Sequence, residues 1–198
     1  MSELLTRNIL VINQKAKLIE LTNEYRIQDE NGADVGMIRE EGQNAAKKVL
    51  RLVSNVDQFL THRLSVYDVA GQKVVELLRP RKIVKSTVKI SDGSGREVGR
   101  IVQQNFWGKK RFALEATSGE ALGSINAENW RAWDFAIQDP AGTEVGRITK
   151  KWHGILKEGF TTADKYLLQI TGDVSPDLRL MMLASAAGVD IALKQDEG

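Results

Sequence analysis

A repeated strand-turn-strand unit constrains the fold of this chain more than any other feature. The unit occurs five times, and a glycine closes the turn of each copy, at Gly32, Gly71, Gly95, Gly119 and Gly142. The intervals between these glycines are 39, 24, 24 and 23 residues. One supersecondary unit repeated at a near-constant interval indicates a repetitive architecture. The sequence therefore predicts five β-hairpins.

The turn residues explain how each hairpin closes. Four copies carry an aspartate three residues before the glycine, at Asp29, Asp68, Asp92 and Asp139, whereas the fourth copy has Ala116. An aspartate side chain can accept a hydrogen bond from the backbone two residues further on, and glycine adopts the left-handed conformation without a steric penalty. A second glycine follows an apolar residue in four of the second strands, at Gly36, Gly99, Gly123 and Gly146. Glycine within a strand indicates a bend of a barrel or a point of close approach to the backbone.

The strand count predicts a closed sheet. Five hairpins supply ten strands, Ile9–Ile12 supplies another, and Tyr166–Ile170 supplies the last. Twelve mostly antiparallel strands exceed what an open twisted sheet usually holds, so closure into a barrel or a barrel-like sandwich is expected. A further amphipathic helix is predicted over 44–60, with an extra strand at Val49–Val53 as the alternative.

The C-terminus predicts a buried helix. Ser175, Pro176 and Asp177 form a typical helix start, and the following segment, Leu178–Leu193, is apolar on nearly every side. A helix of that kind is buried all round. Its length of about 24 Å is shorter than a bilayer crossing requires. The fold class is therefore mainly β, a closed twelve-stranded antiparallel barrel around a central hydrophobic helix at 176–193, with the whole chain, 1–198, as one domain.

Composition excludes several classes of function. The chain has 28 basic and 26 acidic residues, a net charge of +2, and no cysteine. Thiolate chemistry, disulfides and Cys-ligated zinc are therefore excluded. The two histidines, His62 and His153, lack metal-ligand spacing, and no phosphate-binding loop or nucleophile elbow is present. The sequence predicts a protein that is not an enzyme and has no required cofactor. The N-terminus lacks the features of a secretory signal, which predicts a cytoplasmic location.

Clusters of basic residues are the candidate binding elements. Each positive charge near an anionic membrane surface contributes about 1 kcal/mol of attraction. The alternative interpretation is that these clusters are solvated faces balanced by nearby acids. The first cluster is Arg79, Arg81, Lys82 and Lys85, the second is Lys109, Lys110 and Arg111, and the third is Lys150, Lys151 and Lys157.

One segment resembles a known family. The stretch RITKKWHGILKEGFTTADKY, Arg147–Tyr166, followed by the apolar C-terminal helix, is similar to the phospholipid scramblase family. The Leu78-Arg79-Pro80 and Val102-Gln103 steps are also similar, and the likeness extends from about Val11 to Leu193. The wider superfamily includes LURP-one-related proteins and the tubby C-terminal domain. The resemblance implies a twelve-stranded barrel around a central helix.

The resemblance also implies a candidate calcium segment. At its proposed ligand positions this chain keeps Asp164 and Asp173 but has Lys165, Leu168 and Ile170 at others. Calcium takes six to eight oxygen ligands, so two acids make a poor cage. The alternative interpretation is that Asp164 and Asp173 cap a strand and a turn.

Two functions follow from these observations as hypotheses. The first is a scramblase-family protein that binds or redistributes phospholipids at the cytoplasmic membrane face, with a peripheral location at the plasma membrane. The second is a soluble tubby-like binding module for anionic lipid, protein or nucleic acid without transport activity. An anionic phospholipid surface is the expected partner, a protein partner stays open, nucleic acid is not expected, and the oligomeric state is left open.

Overall fold

The computed structural model describes residues 2–13, 24–41, 62–80, 87–105, 111–129, 134–150 and 165–193. These residues form a short 3₁₀ turn, Glu3–Leu5, twelve strands and one α-helix, α1, Pro176–Leu193. The predicted helix over 44–60 and its alternative strand lie outside the described residues. The strands are β1 Ile9–Asn13, β2 Glu24–Gln28, β3 Asp34–Glu41, β4 His62–Asp68, β5 Lys73–Arg79, β6 Thr87–Asp92, β7 Glu97–Gln103, β8 Arg111–Ala116, β9 Ala121–Asn129, β10 Asp134–Gln138, β11 Glu144–Thr149 and β12 Lys165–Ile170.

The strands close into one antiparallel barrel. Each strand pairs with its neighbours in the sequence, and β1 closes the ring by pairing with both β2 and β12. The predicted closed barrel of twelve strands is therefore confirmed. Closure removes the unpaired strand edges that an open sheet of this size would expose.

The α-helix fills the barrel. Met181, Met182, Ala184 and Ala186 have no exposed surface, and they belong to the same core as the inward residues of the strands. The hydroxyl of Ser175 accepts a hydrogen bond from the N–H of Leu178 at 3.2 Å, which confirms the predicted helix cap. The hydroxyl of Tyr166 donates to the carbonyl of Ala186 at 2.7 Å and ties the helix to β12. The predicted central hydrophobic helix is confirmed.

The five hairpin turns lie at one end of the barrel, which we call the hairpin end. Their glycines all have positive φ, from 74° to 89°. In the first turn the carboxylate of Asp29 accepts hydrogen bonds from the N–H groups of Asn31 and Ala33, both at 2.9 Å. The equivalent aspartates, Asp68, Asp92 and Asp139, also accept backbone bonds. The predicted turn chemistry is therefore confirmed.

Each hairpin also contains a β-bulge that the sequence did not reveal. In the first hairpin Ile27 pairs with Gly36 and Gln28 pairs with Asp34, so Val35 has no partner across the ladder. The same shift recurs in the other four hairpins. A bulge increases local twist and bends a strand, as closure of a barrel requires. The glycines after these bulges mark the predicted close approach: a Cβ on Gly146 would lie 2.6 Å from the carbonyl oxygen of Gln169.

We expect the charge of Asp29 to stabilise its turn. Burial by itself raises the pKa of the Asp29 carboxyl, but the N–H donors of Ala33 and Asn31 and the charge of Arg7 outweigh burial and lower the pKa below its ordinary value. The stabilisation is therefore present above the pKa of the unfolded chain and is lost as pH falls through the lower folded pKa. Asp29→Asn should reduce the free energy of unfolding by about 1 kcal/mol at pH 7.

Urea unfolding from pH 7 to pH 2 measures this dependence. The difference between wild type and Asp29→Asn should shrink below about pH 4, because the carboxyl of the unfolded chain is protonated there first and that of the folded chain only at lower pH. Asp173→Asn, at an exposed acid after β12, is the matched control and should change stability little at any pH. A pH-independent difference for Asp29→Asn would show that the charge does not contribute.

Candidate lipid-headgroup surface

The described residues that flank the predicted basic clusters lie at the end of the barrel opposite the hairpin turns. We call it the connection end, because there the chain leaves β1, β3, β5, β7, β9 and β11 and returns to β2, β4, β6, β8, β10 and β12. The first cluster begins at Arg79, the last residue of β5, and the second ends at Arg111, the first residue of β8. The third begins at Lys150, directly after β11. The antiparallel pairing therefore places the flanks of all three clusters at the same end.

Arg111 is the described member of the second cluster, and its backbone is fixed. Its N–H donates to the side-chain oxygen of Asn105 at 2.9 Å, and its carbonyl accepts from the N–H of Gln104 at 2.8 Å. The Arg111 side chain is exposed. These bonds hold the start of β8 against the end of β7 and leave the guanidinium in solvent.

The sequence predicted Arg79 as a surface charge, but the structure buries it. It is 6% exposed and shares the inward face of β5 with Val75 and Leu77. A Cβ on Gly188 would lie 2.9 Å from Leu77, so this part of the wall packs against the C-terminal part of α1. The guanidinium of Arg79 is thus placed within the mouth of the barrel. The other predicted headgroup residues, Arg81, Lys82, Lys85, Lys109 and Lys110, lie outside the described residues.

The segments that join the strands at the connection end are strongly basic in sequence. Residues 14–23, 42–61, 81–86, 106–110, 130–133 and 151–164 together contain 13 Lys and Arg and 4 Asp and Glu, a net charge of +9 in a chain of net charge +2. Sequence reasoning found three clusters but missed the shared end. The signal that could have found it is the alternation of acidic hairpin turns with basic connections.

The outer wall of the barrel carries opposite charges that pair with one another, including Glu24 and Glu41 at the connection end. Cross-strand ion pairs join Arg39 to Glu24 and Arg100 to Glu115, each at 2.7 Å. The hydroxyl of Tyr67 donates to Glu41, and burial, followed by this bond, raises the pKa of Tyr67. These groups neutralise one another, so the described wall offers little net charge to a ligand.

Of the two candidate calcium residues, Asp173 is exposed at the hairpin end, and Asp164 lies outside the described residues. Within the described ranges no three His, Asp or Glu residues could share a metal. Two acids supply fewer oxygen ligands than the six to eight that calcium takes. Calcium binding at Asp164 and Asp173 stays a prediction.

A groove of about 600 Å³ opens at the hairpin end, and sequence reasoning did not find it. The β8–β9 and β10–β11 turns and the start of α1 form its walls. Four acidic residues line it, Glu120, Asp139, Asp173 and Asp177. This charge is wrong for an anionic headgroup, so the groove does not belong to the candidate surface.

Comparison with known proteins identifies the family of this barrel. A sequence model of the scramblase family matches residues 1–193, nearly the entire chain. The chain belongs to the scramblase family. The predicted resemblance is therefore confirmed. No solved structure matches the chain.

Three relatives of this chain are distant from it in sequence. A phospholipid scramblase family protein of Schizosaccharomyces pombe is 26% identical over 185 residues, which cover 85% of this chain and 47% of that protein. Human phospholipid scramblase 1 is 22% identical, covering 96% of this chain and 64% of the relative. Altered inheritance rate of mitochondria protein 25 of Saccharomyces cerevisiae is 22% identical, covering 86% of this chain and 64% of the relative. The chain thus spans about half to two thirds of the length of these proteins.

Proposed function

We propose that this scramblase-family protein binds anionic phospholipid headgroups at the cytoplasmic face of a membrane, as a peripheral protein and without a catalysed step. The observation that carries the proposal is that the flanks of all three basic clusters lie at one end of the barrel. The names of the relatives, phospholipid scramblases, support a phospholipid as the ligand. The plasma membrane is the proposed location.

The proposed contact residues are those of the connection end. Attraction of about 1 kcal/mol per Lys or Arg is additive only where several charges reach the same surface. Strand ends that lead into all three clusters from the same end of the barrel support that condition, whereas charges spread around the barrel wall would not meet it. The proposed residues are Arg81, Lys82, Lys85, Lys109, Lys110 and Arg111, with Arg79 at the barrel mouth behind the first cluster.

Removing the second cluster should weaken binding to anionic vesicles. The triple change Lys109→Gln, Lys110→Gln and Arg111→Gln removes three charges, worth about 3 kcal/mol or about 100-fold in affinity. Co-sedimentation with phosphatidylcholine vesicles, with and without phosphatidylserine, measures the effect at two salt concentrations. Binding of the wild type should need phosphatidylserine and should weaken at the higher salt, because salt screens exposed charges.

A matched control removes three basic residues from the barrel wall. The changes Arg26→Gln, Lys89→Gln and Arg100→Gln act on side chains that are 37–52% exposed and paired with acids, so affinity should stay within about threefold. Equal losses in both triple variants would mean that only net charge matters. Wild type that does not sediment with anionic vesicles would overturn the proposal and leave a protein partner as the alternative.

Phospholipid redistribution is the second candidate function, favoured by family membership. None of the described helical segments combines the length and apolar character that a membrane crossing needs. Met181–Ala187 are packed inside the barrel, so any role of α1 in lipid would require the barrel to open. Liposomes with a reporter lipid test this candidate, with and without calcium. Accelerated transbilayer exchange supports redistribution, and binding without exchange favours the binding module.

A further inference from the structure

The hairpin end carries the opposite charge to the connection end. Its described segments, 2–8, 29–34, 68–72, 92–97, 116–120, 139–144 and 171–177, contain 12 Asp and Glu and 2 basic residues, a net charge of −10. Six of these acids are exposed, namely Glu3, Asp34, Glu97, Glu120, Glu144 and Asp173. The described hairpin end is therefore acidic, whereas the segments that join the strands at the other end are basic in sequence.

The two basic residues of the hairpin end, Arg7 and Arg96, do not make this end less repulsive to an anionic surface. Arg7 pairs with Glu3 and, at 3.2 Å, with Asp29. Arg96 bridges Asp92 at 2.9 Å and Asp177, at the start of α1, at 3.1 Å. Each guanidinium thus lies between two carboxylates of its own chain, which leaves a net negative charge around it.

Because the two ends of the barrel lie far apart, the orientation of the barrel determines how strongly the acidic end is repelled by an anionic surface. The strands have five to nine residues, and β12 alone spans about 20 Å, roughly two Debye lengths at physiological salt. With the connection end on an anionic surface, the acidic end lies beyond most of the repulsion. A barrel lying on its side would bring both ends to the surface, and attraction and repulsion would nearly cancel.

We propose that the barrel stands upright on the anionic surface, with its connection end toward the lipid and its hairpin end, including the acidic groove, turned away. This inference rests on the proposed function and adds the geometry of the bound state. It explains how a chain of net charge +2 can bind an anionic membrane. The entry of α1 into the barrel, at Pro176, then faces the aqueous side.

Single-cysteine labelling tests the orientation directly, because the chain has no cysteine of its own. Three exposed sites serve as reporters: Gln104→Cys at the connection end, Lys89→Cys on the wall and Thr117→Cys at a hairpin turn. Each carries a fluorophore, and vesicles of phosphatidylcholine and phosphatidylserine carry a quenching lipid. Quenching should be at least fivefold stronger at Gln104→Cys than at Thr117→Cys, with Lys89→Cys between them.

Co-sedimentation of the same samples separates the two claims. Bound protein with equal quenching at all three sites, or with the strongest at Thr117→Cys, overturns the upright orientation and leaves the binding proposal intact. Protein that does not bind overturns both. Adding Glu120→Lys and Asp173→Lys changes the net charge of the hairpin end from −10 to −6. The ratio of quenching at Gln104→Cys to quenching at Thr117→Cys should then fall at least twofold. An unchanged ratio contradicts charge as the cause of the orientation.

Discussion

Met182→Asp should abolish cooperative folding of the barrel. Met182 has no exposed surface, and its side chain fills the space that the missing Cβ of Gly146 leaves on β11. A carboxylate there would lose its water without gaining a partner among the apolar residues of the core, which costs more than about 4 kcal/mol. A loss of that size consumes most of the stability of an ordinary domain.

Thermal unfolding followed by circular dichroism measures the effect. Met182→Leu is the matched control, because a substitution that nearly conserves apolar volume costs less than about 1.5 kcal/mol. The control should keep a single cooperative transition, and Met182→Asp should show none or aggregate. If Met182→Asp unfolds at the temperature of the wild type, the helix is not held inside the barrel in solution.

Gly99→Ala should destabilise the protein more than Gly95→Ala, although both glycines belong to the β6–β7 hairpin. A Cβ on Gly99 would overlap the carbonyl oxygen of Glu115 on β8 and lie 3.1 Å from the carbonyl carbon. Because these are backbone atoms, paired strands must separate, and we expect a loss of about 3 kcal/mol. Gly95 has open space but a φ of 89°, so alanine there costs about 1 kcal/mol.

Urea unfolding of the two variants in parallel compares two reasons for glycine, namely close contact with a neighbouring strand at Gly99 and a positive φ at Gly95. The larger loss for Gly99→Ala would show that close strand contact, rather than turn conformation, sets the requirement within β7. The equivalent bulge in the β4–β5 hairpin has Val75 instead of glycine, paired with Val66. Similar losses for the two variants would contradict the role of close approach.

The repeat made most of the fold predictable. The conformation of a hairpin turn depends on residues within about five positions of one another, so Asp29 and Gly32 were enough to predict their turn. Strand number and closure followed from counting such units. The bulges were not predictable, because the residue without a partner, such as Val35 or Val98, is defined only by the register of the opposite strand. In four of the five hairpins, the glycine after the bulge was the feature that the sequence showed.

The candidate site was predictable only in its parts. The clusters that contain Lys85 and Arg111 were visible as local runs of charge. Burial of Arg79 was not visible, because the inward face of β5 is set by packing against α1. The acidic groove was also hidden, since Glu120 and Asp177 come from distant parts of the chain.

The sequence by itself determined the hairpins, the number of strands and the hydrophobic helix, because turn chemistry and apolar periodicity act over a few residues. The tertiary structure decided the pairing of the strands around the ring, and hence that the acidic turns share one end and the strand ends that flank the basic connections share the other. Antiparallel pairing sends every second connection to the same end of a barrel. The described hairpin turns thereby form an acidic end in a chain whose net charge is +2.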